Sequence, residues 1–279
     1  MKWQGRRAST NVEDRRGISS KTLLGGGIGT IILALVVMLM GGNPLEYIGS
    51  LTGPEAPYEE TAEHRELAEF SKVVLAETED VWNEIFHEEL GADYQEPTLV
   101  FYSGYVESAC GAANASVGPF YCPGDEKIYL DLDFFTELRE QFHAPGDFAM
   151  AYVIAHEVGH HVQHQLGIID EVYSYRGRVS EVEFNKLLVK MELQADYFAG
   201  VWAHYADRAR LLEEGDIEEA LNAAMMIGDD RIQMDTWGYV VPDRFTHGTS
   251  EQRSSWFLRG FKSGTIEDGD TFNAPELND

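Results

Sequence analysis

His156 and His160 constrain the fold of this chain most strongly, because with Glu157 they form an H-E-x-x-H pattern. On an α-helix, positions i and i+4 lie on one face about 6 Å apart, so two imidazoles there can share one tetrahedral zinc ion. The surrounding sequence predicts such a helix, with a start near Pro145, an apolar face and an end at Gly167. The fold must then bring a third ligand to this face from another segment.

A second predicted helix offers that ligand. Ser180 and Glu183 form a capping-box pattern, and apolar residues then recur at helical spacing as far as Tyr205. This helix carries Glu192 and Asp196, again four residues apart. Glu192 is predicted to complete a His-His-Glu site for one zinc ion per chain, and Asp196 to accept the remaining N–H of a ligand histidine. The alternative is an exposed carboxylate pair on an amphipathic helix in an acidic chain.

Glu157 lies beside the two histidines in the pattern, where its carboxylate can take a proton from a metal-bound water. This arrangement is typical of a metallopeptidase, and it predicts Glu-assisted hydrolysis of peptide bonds in a peptide or protein substrate. Two other classes remain open: a zinc amidase that acts on a cell-wall amide, and a catalytically silent, metal-stabilised binding module. His161 points about 100° away from His160 and is predicted at the surface.

Several segments together resemble the bacterial putative neutral zinc metallopeptidase family. They are Lys2 to Arg7, Val12 to Gly17, Ala151 to Gln163 around the H-E-x-x-H pattern, Glu192 to Asp196, Thr246 to Gly248, and Gln252 with Arg253. The resemblance covers nearly the whole chain and implies a membrane-anchored zincin whose third ligand is a glutamate. It does not supply a substrate.

The same resemblance supports a role for His247. Zincins often place a distant side chain over the open coordination position, where it stabilises the oxyanion of the tetrahedral intermediate. His247 is predicted to take this catalytic role, with Arg253 as a further oxyanion candidate. The alternative is that the segment only starts a helix, because Thr249 and Gln252 also form a capping box.

An uncharged stretch of 20 residues, 23–42, is long enough to cross a bilayer as a helix. Six basic and two acidic residues precede it, so residues 1–22 are predicted to be a basic cytoplasmic N-terminus. The predicted location is the bacterial cytoplasmic (inner) membrane, crossed once, with the catalytic domain on the periplasmic or extracytoplasmic side. A cleaved signal peptide is the alternative, but the apolar run is longer than usual and ends without an A-x-A-like site.

Cysteine content and charge limit the environment and the partners. Cys110 and Cys122 are the only two cysteines, and their turn-rich segment predicts one disulfide in an oxidising compartment.

The chain carries 21 basic and 48 acidic side chains, for a net charge of −27. That balance excludes a general nucleic-acid or anionic-lipid surface, which needs clusters of Lys and Arg. No pattern indicates the oligomeric state.

The predicted fold class is α+β: a mainly helical zincin-like metallopeptidase domain with a small β-sheet, preceded by one transmembrane helix. The predicted domain organisation is N-terminus 1–22, transmembrane helix 23–42, linker 43–60, metallopeptidase domain 61–266 and an acidic flexible tail 267–279. Besides the two metal helices, helices are predicted at about 61–90, 217–237 and 249–262, and strands at 98–102 and 127–131.

Overall fold

The computed structural model describes residues 1–17, 58–114 and 118–278. Its sheet strands are β1 (Val12–Asp14), β2 (Thr98–Tyr102), β3 (Tyr105–Ser108), β4 (Gly111–Asn114), β5 (Phe120–Cys122) and β6 (Lys127–Asp131). Its α-helices are α1 (Ala62–Ile85), α2 (Asp133–Glu140), α3 (Asp147–Gln165), α4 (Ile168–Ser174), α5 (Glu181–Arg208), α6 (Asp216–Met226), α7 (Asp229–Trp237) and α8 (Ser250–Ser263). A π-helical turn (Phe86–Leu90) continues α1, and short 3₁₀ turns cover Pro242–Arg244, Glu267–Gly269 and Pro275–Leu277. The expected α+β class, mainly helical with a small sheet, is confirmed.

The main sheet has the strand order β1-β2-β6-β5. β1 and β6 run parallel to β2, whereas β5 is an antiparallel edge strand beside β6. A separate hairpin pairs β3 with β4. The two strands expected from apolar β-branched and aromatic runs, β2 and β6, lie where the sequence placed them. The short flanking strands were not predicted.

The core lies between this sheet and the long helices. Its largest fully buried side chains are aromatic and come from β2 and from α1, α3, α5 and α8: Trp82, Trp202, Tyr152, Tyr197, Phe70, Phe101, Phe148, Phe198 and Phe257. Tyr102 and Tyr129 belong instead to a second buried cluster with Val106 and Cys122. Each such side chain removes about 150 to 250 Å² from water, so these helices are held firmly on one another. This packing fixes the mutual position of α3 and α5, which carry the predicted metal ligands.

One predicted helix is divided in two. The sequence predicts a single helix over about 217–237, but the structure ends α6 at Met226 and starts α7 at Asp229. Gly228 lies between them against the start of α8: a Cβ there would fall 2.4 Å from the backbone nitrogen of Ser250. The close approach of these two segments, which no local pattern reveals, explains the break.

The expected flexible tail differs from the structure. Residues 267–278 pack back on α5, with Thr271 fully buried and Ala274 nearly so. The hydroxyl of Thr271 donates to the Lys190 carbonyl at 2.7 Å, and the ammonium of Lys190 donates to the Phe272 carbonyl at 3.1 Å. These contacts outweigh the acidic composition that suggested mobility, so the prediction of a mobile tail is wrong for 267–278.

The predicted membrane topology also needs correction. The proposed transmembrane helix, 23–42, lies outside the described residues, and no helix within the described ranges is long and apolar enough to cross a bilayer. Residues 1–17 are part of the same folded unit as the rest, because β1 pairs with β2 residue by residue from Val12 with Leu99 to Asp14 with Phe101. A single crossing between residues 17 and 58 would put these paired strands on opposite sides of the membrane. The predicted single-pass topology is therefore wrong, and the described residues do not support the predicted location at the cytoplasmic membrane.

Candidate metal centre and cleft

α3 and α5 cross closely at the H-E-x-x-H pattern. Gly159 lies at the crossing, where a Cβ would fall 2.9 Å from the Ala195 carbonyl oxygen. Any larger residue there would push the helices apart. The glycine therefore lets the α5 backbone approach the two histidines of α3.

The three predicted ligands meet across this crossing. The Nε2 atom of His156 lies 3.2 Å from Glu192 Oε2, and the Nε2 atom of His160 lies 3.4 Å from Glu192 Oε1. One donor atom from each residue lies within 4.8 Å of the other two, a separation at which a single cation can touch all three. Both histidines are largely buried in the protein, and Glu192 is only slightly exposed. The structure thus brings together the set that the sequence predicted.

The Nδ1 atoms of His156 and His160 contact other side chains. His156 Nδ1 lies 2.8 Å from Asp196 Oδ1, the contact predicted for Asp196, and His160 Nδ1 lies 2.9 Å from Gln163 Oε1. Both partners are acceptors, so each Nδ1 carries a proton, and Nε2 is the nitrogen of each ring that faces Glu192. Gln163 was not predicted, although it lies three residues after His160 on the same helix.

Asp196 is held by two further side chains. Tyr152 donates its hydroxyl to Asp196 Oδ1 at 2.5 Å, while Arg253 donates from Nε to Oδ2 at 2.9 Å and from Nη2 to Oδ1 at 3.0 Å. Burial of Asp196 raises its pKa, but Arg253 and His156 lower the pKa by more, to about 2. The carboxylate is therefore ionised and oriented toward His156. The sequence had missed Tyr152, which precedes His156 by one helical turn.

Arg253 was predicted as an oxyanion candidate, and its contacts favour another role. The side chain is almost completely buried, and besides Asp196 it donates to the Tyr152 hydroxyl at 3.2 Å and to the Ile227 carbonyl at 3.3 Å. A guanidinium bonded to these acceptors orients Asp196. Arg253 also lines the cleft, so its oxyanion role stays a prediction.

The electrostatics of the three predicted ligands suit a cation. Burial lowers the pKa of His156, but Asp196 and Glu192 raise it by more, to about 10. Burial raises the pKa of Glu192, but His160 and His247 lower it by more, so the carboxyl is ionised. The raised pKa of His156 favours a proton on Nε2 as well, so a metal ion would compete with a proton for this nitrogen.

A cleft of about 420 Å³ opens over this centre. Glu157 lines it together with the three predicted ligands, as the prediction for Glu157 requires. Most of the remaining wall is apolar, from Phe120 and Tyr121 on β5, Phe134 and Phe142 near α2, Ile169 and Tyr173 on α4, and Ile227 and Ile232 near α7. The cleft therefore presents the three predicted ligands beside a mostly apolar wall.

His247 also lines the cleft, and about half of its side chain is exposed. Asp229 fixes the segment by accepting from the backbone N–H groups of Thr246, His247 and Gly248, and its Oδ1 lies 3.3 Å from His247 Nδ1. Burial lowers the pKa of His247, but Glu192 and Asp229 raise it by more. The imidazole is thus biased toward its protonated form beside the candidate metal centre. Thr249 and Gln252 form the predicted capping box as well, so the segment also starts α8.

The predicted disulfide is confirmed. Cys110 and Cys122 are joined with an S–S distance of 2.00 Å. Cys122 ends β5, the strand whose Phe120 and Tyr121 line the cleft. The bond therefore ties one wall of the cleft to the end of the β3–β4 hairpin.

The fold and this centre define a chain that presents two histidines and a glutamate at one point of a cleft. The chain belongs to the family described as "Putative neutral zinc metallopeptidase", whose model matches residues 1–272. It is 48% identical over 284 residues to the "Uncharacterized protein YpfJ" of Escherichia coli strain K12, covering 98% of this chain and 99% of the relative. It is also 43% identical over 195 residues to the "Uncharacterized protein Rv2575" of Mycobacterium tuberculosis strain H37Rv, covering 66% of this chain and 65% of that protein. No solved structure matches the chain.

Proposed function

We propose that this chain is a zinc-dependent peptidase that hydrolyses peptide bonds in the cleft over α3 and α5. The observation that carries the proposal is the convergence of His156 Nε2, His160 Nε2 and a Glu192 carboxylate oxygen within 4.8 Å of one another. Two imidazoles and one carboxylate form a donor set typical of catalytic zinc sites, which leave a position open for water or substrate. Membership of the metallopeptidase family agrees with this choice of metal.

The donor chemistry fits one zinc ion held by His156, His160 and Glu192. The Nδ1 partners Asp196 and Gln163 leave both Nε2 atoms facing Glu192, and such outer partners increase the basicity of a ligand histidine. When bound, zinc supplies Lewis acidity, which polarises a carbonyl and lowers the pKa of a water ligand toward neutrality. The dense apolar packing around α3 and α5 supplies the rigidity that such a site needs.

The chain's own residues would carry the proton transfers. Glu157 lines the cleft beside the three ligands, which supports a role in which it would accept the proton of the attacking water and return it to the leaving amine. His247 lines the cleft and its pKa is raised, which supports a role in which it would donate to the oxyanion of the tetrahedral intermediate. Arg253 and Tyr152 would act indirectly. Both donate hydrogen bonds to Asp196, which in turn orients His156.

Metal content and turnover of the purified full chain test the proposal. Wild type is expected to carry close to one zinc per chain and to cleave an unstructured protein such as casein. His156→Ala and Glu192→Ala are expected to lose both zinc and turnover. Glu157→Gln and His247→Gln are expected to keep the zinc and to lower kcat, the latter by about 10² to 10³ if His247 is an oxyanion donor.

Three results would contradict the proposal. A wild-type chain without zinc, or a Glu192→Ala variant with undiminished zinc affinity, would remove the metal site. Zinc binding without peptide cleavage would favour the amidase if cell-wall amides are hydrolysed. It would favour the binding module if Glu157→Gln leaves the cellular phenotype of the gene unchanged.

A further inference from the structure

A second cavity, of about 570 Å³, lies between α4, α5 and the segment that follows α8. Its volume is within the range of about 300 to 1,000 Å³ that is typical of small-molecule sites. Two of its lining residues on α5, Gln194 and Phe198, are buried, whereas Leu187 on α5 and Phe272 after α8 are only partly buried. The cavity is therefore lined by apolar side chains that solvent can reach.

α4 separates this cavity from the cleft over the candidate metal centre. Ile169 and Tyr173, four residues apart on α4, line the cleft. Ile168, Val172 and Tyr175 line the second cavity. At 3.6 residues per turn these three share one face of the helix, turned about 110° from the face of Ile169 and Tyr173. No described residue lines both spaces, so the second cavity is a separate place on the molecule.

The charged side chains that line the second cavity are all acidic. They are Glu171, Glu267 and Asp270, and no basic side chain of the described ranges lines the cavity. Asp270 accepts from the backbone N–H of Asn273 at 3.1 Å and from its Nδ2 at 2.7 Å. Glu171 and Glu267 are exposed and have no hydrogen bond or ion pair with another described residue. These two carboxylates can therefore pair with a cation that enters the cavity.

Aromatic rings line the same space, from Tyr175, Phe198 and Phe272. The face of an aromatic ring attracts an ammonium group, most strongly where water is excluded. Tyr175 is 41% exposed and lies four residues after Glu171, so its ring and that carboxylate are neighbours on one face of the helix. The ammonium of Lys190 does not serve as the cation, because it donates to the Phe272 carbonyl at 3.1 Å and to Asn278 Oδ1 at 2.7 Å.

We propose that the second cavity binds a small organic ammonium ion, with an apolar body the size of a phenyl ring on a short aliphatic chain. The apolar body packs against Val172, Phe198 and the other apolar walls, and the ammonium pairs with Glu171 or Glu267. Such pairing offsets the loss of hydration of the charge, which a neutral or anionic ligand of the same shape could not use. The proposal concerns a place outside the candidate metal centre and does not depend on the proposed peptidase function.

Calorimetric titration of the purified full chain with phenylbutylamine tests the proposal. The matched probes are phenylbutanol, which has the same apolar body without a charge, and phenylbutanoate, which has the opposite charge. The amine is expected to bind at least tenfold more tightly than the alcohol, and the anion more weakly than either. Equal affinities for the amine and the alcohol would overturn the proposal, because the carboxylates would then contribute nothing.

Variants locate the bound amine. Glu171→Gln combined with Glu267→Gln keeps the shape of two exposed side chains and is expected to lower the affinity for the amine at least tenfold, to that for the alcohol. Leu187→Trp fills part of the cavity and is expected to weaken binding of both probes at least tenfold. Glu214→Gln, at an exposed acid that lines neither space, and Glu157→Gln, in the cleft, are expected to leave binding unchanged.

Methyl NMR of isoleucine-labelled chain gives a readout that does not depend on the variants. The amine is expected to shift the methyl signals of Ile168 and Ile266, which line the second cavity, and to leave that of Ile232, which lines the cleft. Shifts confined to Ile232, or loss of amine binding in Glu157→Gln, would place the amine in the cleft and overturn the proposal. Undiminished amine affinity in the double variant or in Leu187→Trp would also overturn it. Zinc content and turnover bear only on the proposed function.

Discussion

His161 follows a candidate metal ligand directly and yet serves a different purpose. Its side chain is fully buried, with Nδ1 accepting from the Tyr121 hydroxyl at 2.9 Å and Nε2 donating to the Gln95 carbonyl at 2.5 Å. The prediction that His161 lies at the surface was wrong, because the strand that covers this side of α3 comes from a distant part of the sequence. Burial lowers the pKa of His161 to about 4.

This buried imidazole is expected to make the fold sensitive to mild acid. Because the pKa of His161 is lower in the folded chain than its ordinary value of about 6.5, the unfolded chain binds more protons between pH 6.5 and pH 4, and stability falls as the pH falls through that range. The loss from pH 7 to pH 5 should be about 2 kcal/mol. His161→Gln keeps one donor and one acceptor but does not titrate, so it should lose correspondingly less.

Urea unfolding at both pH values, with a chelator present throughout so that metal release does not contribute, measures this difference. An identical loss of stability in wild type and His161→Gln would contradict the prediction.

At the scale of elements, the C-terminal segment supports the ligand helices. Gln163, which binds His160, donates from Nε2 to the Met191 carbonyl at 2.7 Å and to Gln194 Oε1 at 3.0 Å. Gln194 in turn donates to the Gly269 carbonyl at 2.8 Å. A chain of buried amides therefore runs from the candidate metal ligand to the 3₁₀ turn after α8.

Breaking this chain at Gln194 is expected to weaken metal binding. Gln194→Met keeps the volume but removes the amide that orients Gln163, so the zinc dissociation constant should rise about tenfold, at the lower end for lost outer partners of a ligand histidine. Competition with a chelator of known zinc affinity measures it. Thr271→Val is the control: it removes only the hydroxyl bond to the Lys190 carbonyl, so it should cost about 1 kcal/mol of stability and leave zinc affinity unchanged. Equal zinc affinities in Gln194→Met and wild type, or an equal loss in Thr271→Val, would refute a support role for the amides.

Some parts of the fold and of the candidate site could be predicted from the sequence, and others could not. His156, His160 and Glu192 could be predicted because helical periodicity places each on a known face, and Thr98–Tyr102 and Lys127–Asp131 because their apolar runs are strand-like. Gln163 and Tyr152 could also have been predicted, since both lie one turn from a candidate ligand histidine. The contact of Gln194 with Gly269 could not be predicted, because it joins residues 75 positions apart and leaves no local pattern in the sequence.

At the scale of the whole molecule, residues 1–17 and the cleft share one sheet. β1 is only Val-Glu-Asp, a sequence with little strand preference, and it forms because β2 offers a parallel edge. Glu79 on α1 holds the preceding segment: it is 1% exposed and accepts from Arg7 Nη1 at 2.8 Å, from Asn11 Nδ2 at 2.9 Å and from the Ser9 hydroxyl. At the opposite edge of the same sheet, β5 forms a wall of the cleft.

Glu79→Gln is expected to release this N-terminal segment. The substitution removes the charge that pairs with Arg7 and leaves buried donors with a poorer acceptor, so the free energy of unfolding should fall by about 1 to 3 kcal/mol. Hydrogen exchange should report faster opening of the β1 amides than of the α3 amides. Glu77→Gln breaks a more exposed pair with Arg6 Nη1, 3.0 Å long, and should cost less than about 1 kcal/mol. If β1 exchanges at the wild-type rate in Glu79→Gln, then the other contacts of residues 1–17, among them the pairing of β1 with β2 and the bonds of the Met1 amino group to Asp147, hold this segment, and the buried carboxylate contributes little.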